Sequence, residues 1–70
     1  MKVSLSAHAK KRMKLRRITE DDVLQAIRYP RKTRKKYGLY YIEYELPHGS
    51  IELVYDRKQN HINIITIYWI

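Results

Sequence analysis

Seventy residues carrying fifteen Lys and Arg against seven Asp and Glu, a formal net charge of +8, make one small basic domain spanning 1–70. A chain near this size buries only about 60% of the surface its unfolded form exposes, which excludes a second core. The lack of cysteine excludes a disulfide framework and a thiolate metal site. No apolar run matches a secretory signal or the ~20 residues of a membrane span, so the expectation is a soluble, cytoplasmic protein with no membrane partner.

In chain order, KVSLS alternates Val3 and Leu5 with polar neighbours, the pattern of a short strand. Ser6 is placed to cap a helix over 7–17, in which Ala9 and Met13 lie four apart and face the core with Leu5 and Ile18. TEDD at 19–22 has the capping-box form, with three acids in the first turn where the helix dipole favours them. It opens a second helix to Arg28, with Val23, Ala26 and Ile27 inward, and Pro30 prevents its continuation. RKTRKK at 31–36 reads as a basic connector.

The period then changes to two. YGLYYIEYEL sets Tyr40, Ile42, Tyr44 and Leu46 against Leu39, Tyr41, Glu43 and Glu45. PHGS turns the chain, and IELVY sets Ile51, Leu53 and Tyr55 against Glu52 and Val54. DRKQN turns it again, and HINIITIYWI forms a last strand apolar on both faces, which predicts a central place in the sheet. The predicted fold is α+β in the order β-α-α-β-β-β, two N-terminal helices packed on an antiparallel β-meander.

The charge is unevenly distributed. Residues 1–36 hold 13 Lys/Arg and 3 Asp/Glu, a balance of 13 − 3 = +10, whereas residues 37–70 hold 2 and 4, a balance of 2 − 4 = −2. Such an asymmetry points to a polyanionic partner: nucleic acid first, an acidic protein segment second, a membrane surface last. Within HAKKRMKLRR, His8, Arg12 and Arg16 share one helix face that starts at an N-terminus, where anions are welcome. Guanidinium forks match phosphate bidentately, and an imidazole beside them can move a proton. The plainer alternatives are a polar boundary histidine, arginines paired with Asp21, Asp22 or strand carboxylates, and a solvated basic face.

Elsewhere the signals are weaker. His48 and His61 lie at turns, and three scattered histidines make no metal constellation. The group of Glu43, Glu45 and Glu52 offers a general base, set against cross-strand pairing or exposure to solvent. Seven tyrosines and one tryptophan offer stacking surfaces, but with no phenylalanine present tyrosine also has to build the aromatic core.

The pattern S-x-H-A-x-x-R-M-x-x-R-x-I-T-x-x-D-V-x-x-A-I-x-x-P, followed by short strands ending in IITIY, resembles a widespread family of small domains of unknown function. That family is usually placed with the RelE-like toxins, in the barnase–EndoU–colicin–RelE ribonuclease fold, and the resemblance runs from Ser6 to Tyr68. It implies a RelE-like fold and a metal-independent endoribonuclease without a cofactor, acting on RNA and held in check by an acidic antitoxin. The positions it points to are His8 and Arg12 on the first helix and Thr66 on the final strand. His8 is then the acid or base, Arg12 and Arg16 clamp phosphate, Thr66 orients phosphate or ribose, and Tyr68 stacks on a base. Further RNA contacts are expected from Arg31, Lys32, Arg34, Lys35 and Lys36. This reading requires His8, Arg12 and Thr66 to open onto one hollow.

Two other classes stay open. One is a non-catalytic nucleic-acid-binding module that uses the basic helix face and residues 31–36. The other is a protein-interaction domain whose charge serves an acidic partner. Self-association is also open, through Trp69 or Ile70 exposed at a sheet end.

Overall fold

The architecture is that of a computed structural model describing residues 2–70. Its elements are β1 (Lys2–Leu5), α1 (Ala7–Arg16), α2 (Glu20–Arg28), β2 (Lys32–Lys36), β3 (Leu39–Leu46), β4 (Gly49–Lys58) and β5 (His61–Trp69). They form a mixed α+β domain with one five-stranded sheet in the order β1-β5-β4-β3-β2, and both helices pack on the same face of it. No helix among the described residues is long and apolar enough to cross a membrane.

Both helices start where their capping residues stand. The Ser6 hydroxyl accepts from the Ala9 amide at 3.0 Å. At α2, Thr19 and Asp22 close a reciprocal capping box, with N–H donors 3.1 and 2.9 Å from the side-chain oxygens. Ala9, Met13, Ile18, Val23 and Ala26 are buried as their spacing predicts, and Ile27 packs against them half-buried.

Four expectations change. RKTRKK is not a connector: residues 32–36 pair antiparallel with β3, from Lys32 opposite Glu43 to Lys36 opposite Leu39. A strand of five exposed residues carries no apolar alternation, so the period-two signal vanishes, and its charges suit an unpaired sheet edge. The sheet is not a pure meander either, because β1 runs parallel to β5, from Lys2 opposite His61 to Leu5 opposite Ile64. β4 continues to Lys58 through residues assigned to a turn, leaving only Gln59 and Asn60 between β4 and β5. β5 is flanked on both sides, as its apolar character suggests, but the middle strand is β4.

The core lies between helices and sheet in transverse rows. Ile42, Leu53 and Ile67 face one another across three strands; Tyr44, Ile51 and Trp69 form the next row. Tyr40 and Tyr55 stack at 5.1 Å between ring centroids. Trp69, a candidate for an exposed sheet end, instead folds against Gly49 and His48, while Ile70 is exposed. Gly49 has φ +148, a conformation few side chains adopt, and a Cβ there would sit 2.9 Å from the Trp69 ring. Gly49→Ala is therefore expected to cost about 1–3 kcal/mol through backbone strain and overpacking, read as a lowered urea midpoint.

One irregularity in β5 controls its second half. Val54 pairs with Thr66 but Tyr55 pairs with Ile64, so Ile65 is an extra residue, a β-bulge. Strict alternation after Ile62 and Ile64 would turn Thr66 and Tyr68 into the core. The bulge shifts the phase: Ile67 and Trp69 point to the helices, and Thr66 and Tyr68 to the opposite face. The Ser6 hydroxyl donates to the Ile65 carbonyl at 2.7 Å, tying the bulge to the start of α1.

Candidate functional site

The helix-free face of the sheet gathers the polar residues of four strands. Across it run two adjacent rows, Lys32–Glu43–Glu52–Tyr68 and Arg34–Tyr41–Val54–Thr66. Their focus is Glu52, on the middle strand and only 5% exposed. A carboxylate removed from water this far has to be paired and hydrogen-bonded. Arg34 donates to its Oε2 at 3.0 Å, and the Tyr68 hydroxyl donates to Oε1. Arg34 reaches diagonally from the edge strand with its guanidinium 5.8 Å from the Tyr41 ring centroid, so one side chain meets both carboxylate and aromatic face. Glu43 lies directly opposite Glu52, a like-charge pairing offset by Lys32 beside Glu43 and by Arg34.

Around this focus is a shallow hollow of about 650 Å³, lined by Arg34, Lys36, Tyr37, Tyr41, Glu52 and Tyr68 with Lys35 at its rim. The hollow is basic on the β2 side and aromatic across its floor, with a single buried acid.

The hydrogen bond to Glu52 pushes the Tyr68 phenol up to about 12 from its usual 10, helped by burial and by the Glu52 charge, with Arg34 opposing. Burial, then Tyr40, also raises Tyr55, against Arg57. A phenol whose folded-state pKa exceeds its unfolded value contributes stability that is whole below pH 10 and lost as pH rises through about 12. Wild type is thus expected to be more stable than Tyr68→Phe at pH 9, with the gap closing above pH 10; urea midpoints over that range check it. A gap independent of pH would show that the Tyr68–Glu52 bond does not persist in solution.

The expected site residues fall into two groups. Arg34, Lys36 and Tyr68 line the hollow, and Thr66 sits one row from Glu52 on the same face. Lys32 is on that face too, beside Glu43, while Lys35 turns to the other side, its ammonium 5.3 Å from the Tyr40 ring centroid. Arg31 pairs with Glu45 at 3.2 Å, with both side chains well exposed. His8, Arg12 and Arg16 belong to α1, whose Ala9 and Met13 pack on the opposite face. His8 and Arg16 are exposed there and Arg12 is half-buried. The structure does not bring these three to Thr66. His48 packs edge-on against Trp69, and His61 hydrogen-bonds Ser4 at 2.7 Å on the β1 side of the helix-free face.

Glu52 is the residue whose importance the sequence understates. It stands as one acid among three on alternating strands, and its signal is positional: an acid at the outward position of an otherwise apolar strand, IELVY. With Tyr41 and Val54 beside it, even an outward position on the middle strand is shielded from water.

A family model described as a domain of unknown function, DUF4258, matches residues 5–69. The chain belongs to the DUF4258 family. The match starts at Leu5 and ends at Trp69, so this DUF4258 domain includes both helices, all of β2 to β5 and every residue of the Glu52 site. No curated protein and no solved structure matches the chain.

Proposed function

We propose that this DUF4258 domain is a metal-independent endoribonuclease of the RelE-like toxin kind, cytoplasmic, whose reacting groups lie on the helix-free face around Glu52. The hollow expected to join His8, Arg12 and Thr66 does not form, because the helix and Thr66 lie on opposite faces of the sheet. The observation that supports this best is a buried carboxylate held between a guanidinium and a phenol, at the floor of a hollow whose rim is a basic strand. RNA cleavage of this type joins the ribose 2′-oxygen to the adjacent phosphorus and breaks the bond from phosphorus to the 5′-oxygen. The Glu52 carboxylate is the base that takes the 2′-hydroxyl proton. Arg34, with Lys36, stabilises the extra negative charge on the phosphate oxygens. The leaving 5′-oxygen takes its proton from solvent, while the Tyr68 hydroxyl, hydrogen-bonded to Glu52, holds the carboxylate in position. Thr66 lies beside this pair, where its hydroxyl can orient phosphate or ribose.

An acidic protein segment laid across the same cations is the antitoxin this reading expects, and it would close the hollow by charge complementarity. His8, Arg12 and Arg16 then serve as a second basic surface that guides RNA to the domain rather than as the reacting groups.

A second reading has its own support. Both Glu52 oxygens are already engaged, as in a network whose task is to hold the sheet face together. On that reading the face binds RNA without cutting it.

Purified protein incubated with RNA in the presence of a chelator decides between them. Cleavage by wild type, retained in His8→Ala and lost in Glu52→Gln, supports the proposal. Intact RNA with wild type removes the catalytic reading and leaves the binding one. Equal cleavage by wild type and Glu52→Gln removes the site.

A further inference from the structure

The β2–β3 hairpin turns on only two residues, Tyr37 and Gly38, because Lys36 pairs with Leu39. Both have positive φ, 55° and 75°, the mark of a type I′ turn. The first position of such a turn favours asparagine, aspartate or glycine; an aromatic side chain there carries a conformational cost. Tyr37 recovers nothing from the core, since it is 86% exposed and lies outside the apolar cluster. Neither turn chemistry nor packing accounts for a tyrosine at this point.

The surroundings supply a reason. Tyr37 lines the hollow that contains Glu52, with the Lys36 ammonium 5.2 Å from its ring centroid and Arg34 along the same wall. An exposed aromatic face beside two cations is the pairing that holds single-stranded nucleic acid, bases on the rings and phosphates on the charges. In a duplex the bases are stacked inward, out of reach of a ring at a hairpin tip.

We infer that Tyr37 is a recognition residue that stacks on an unpaired RNA base, so that the hollow selects single-stranded over double-stranded RNA. This rests on the reading of the helix-free face as an RNA site and adds the form of RNA it takes. Tyr37 provides the platform for one base, and Lys36 and Arg34 hold the flanking phosphates.

The test is equilibrium binding of a labelled, fully 2′-O-methylated RNA single strand, which cannot be cleaved, and of the corresponding duplex. The variants are Tyr37→Asn, which suits the turn better than the native residue, and Tyr37→Trp, which keeps a stacking surface. Tyr37→Asn is expected to weaken single-strand binding by about tenfold while keeping or raising the urea midpoint. Tyr37→Trp is expected to bind as wild type does, and the duplex more weakly than the single strand. Equal binding by Tyr37→Asn and wild type, or equal affinity for duplex and single strand, overturns the inference and leaves the Glu52 chemistry standing. No binding by wild type overturns both. Loss of cleavage in Glu52→Gln with this binding pattern intact supports both.

Discussion

Glu52→Gln is expected to lower RNA cleavage by a factor of roughly 10² to 10⁴, the range for loss of a positioned general base. The substitution preserves shape and keeps an acceptor for the Tyr68 hydroxyl, so the sheet face retains most of its hydrogen bonding. It removes the charge that Arg34 pairs with, but the Arg34 side chain is 56% exposed and hydrates readily, which limits the cost. The change should therefore separate chemistry from folding, with circular dichroism and the urea midpoint near wild type. Arg34→Ala is the less informative partner. It leaves the Glu52 carboxylate buried with one donor fewer, so lost cleavage there mixes catalysis with destabilisation. Binding of non-cleavable RNA adds the discriminating readout: Glu52→Gln should bind as tightly as wild type or tighter, since an acid facing the phosphates is gone. Undiminished cleavage by a folded Glu52→Gln protein would sink the assignment.

Leu53→Ala is expected to destabilise the domain by about 2–5 kcal/mol, the cost of a large cavity in a packed core. Leu53 is fully buried on the middle strand, with Ile42 on one side, Ile67 on the other and the helices above. Little can move into the space, because its neighbours are held by strand pairing on both sides. A domain of this size has a stability near the low end of about 5–15 kcal/mol, so the loss consumes most of it. The expected result is a protein without a cooperative urea transition at room temperature, or one already partly unfolded in buffer. Leu15→Ala is the control: Leu15 is 68% exposed on α1 and should shift stability by no more than about 0.5 kcal/mol. Similar midpoints for the two variants would mean that the row through Leu53 is not the centre of the core.

Both predictions depend on the two sides of one strand, and β4 shows how unequally they could be read. The inward set Ile51, Leu53 and Tyr55 follows from alternation alone, as does the partition of β3 into core and outward residues. The helix starts follow from Ser6 and Thr19, because a cap is a local matter of one side chain and the nearest amides. β2 could not be read this way. Its five residues include four cations and no apolar face, and only the hydrogen bonds offered by β3 make it a strand. The parallel pairing of β1 with β5 was equally hidden, since it joins residues almost sixty positions apart.

The candidate site divides along the same line. Charge asymmetry gives from composition alone the expectation of a polyanionic partner, and Arg34, Lys36, Thr66 and Tyr68 stand among the residues the sequence singles out. Thr66 and Tyr68 join Arg34 and Lys36 on the Glu52 face because of the bulge at Ile65, while helix packing leaves His8, Arg12 and Arg16 on the other side. Local pattern determined which residues are apolar, where helices begin and how much positive charge a partner would meet, because those properties belong to single residues and their near neighbours. Only the tertiary structure decided which face each half of β5 presents. One extra residue inverts every side chain after it, and the phase of a strand is set by the strand it pairs with.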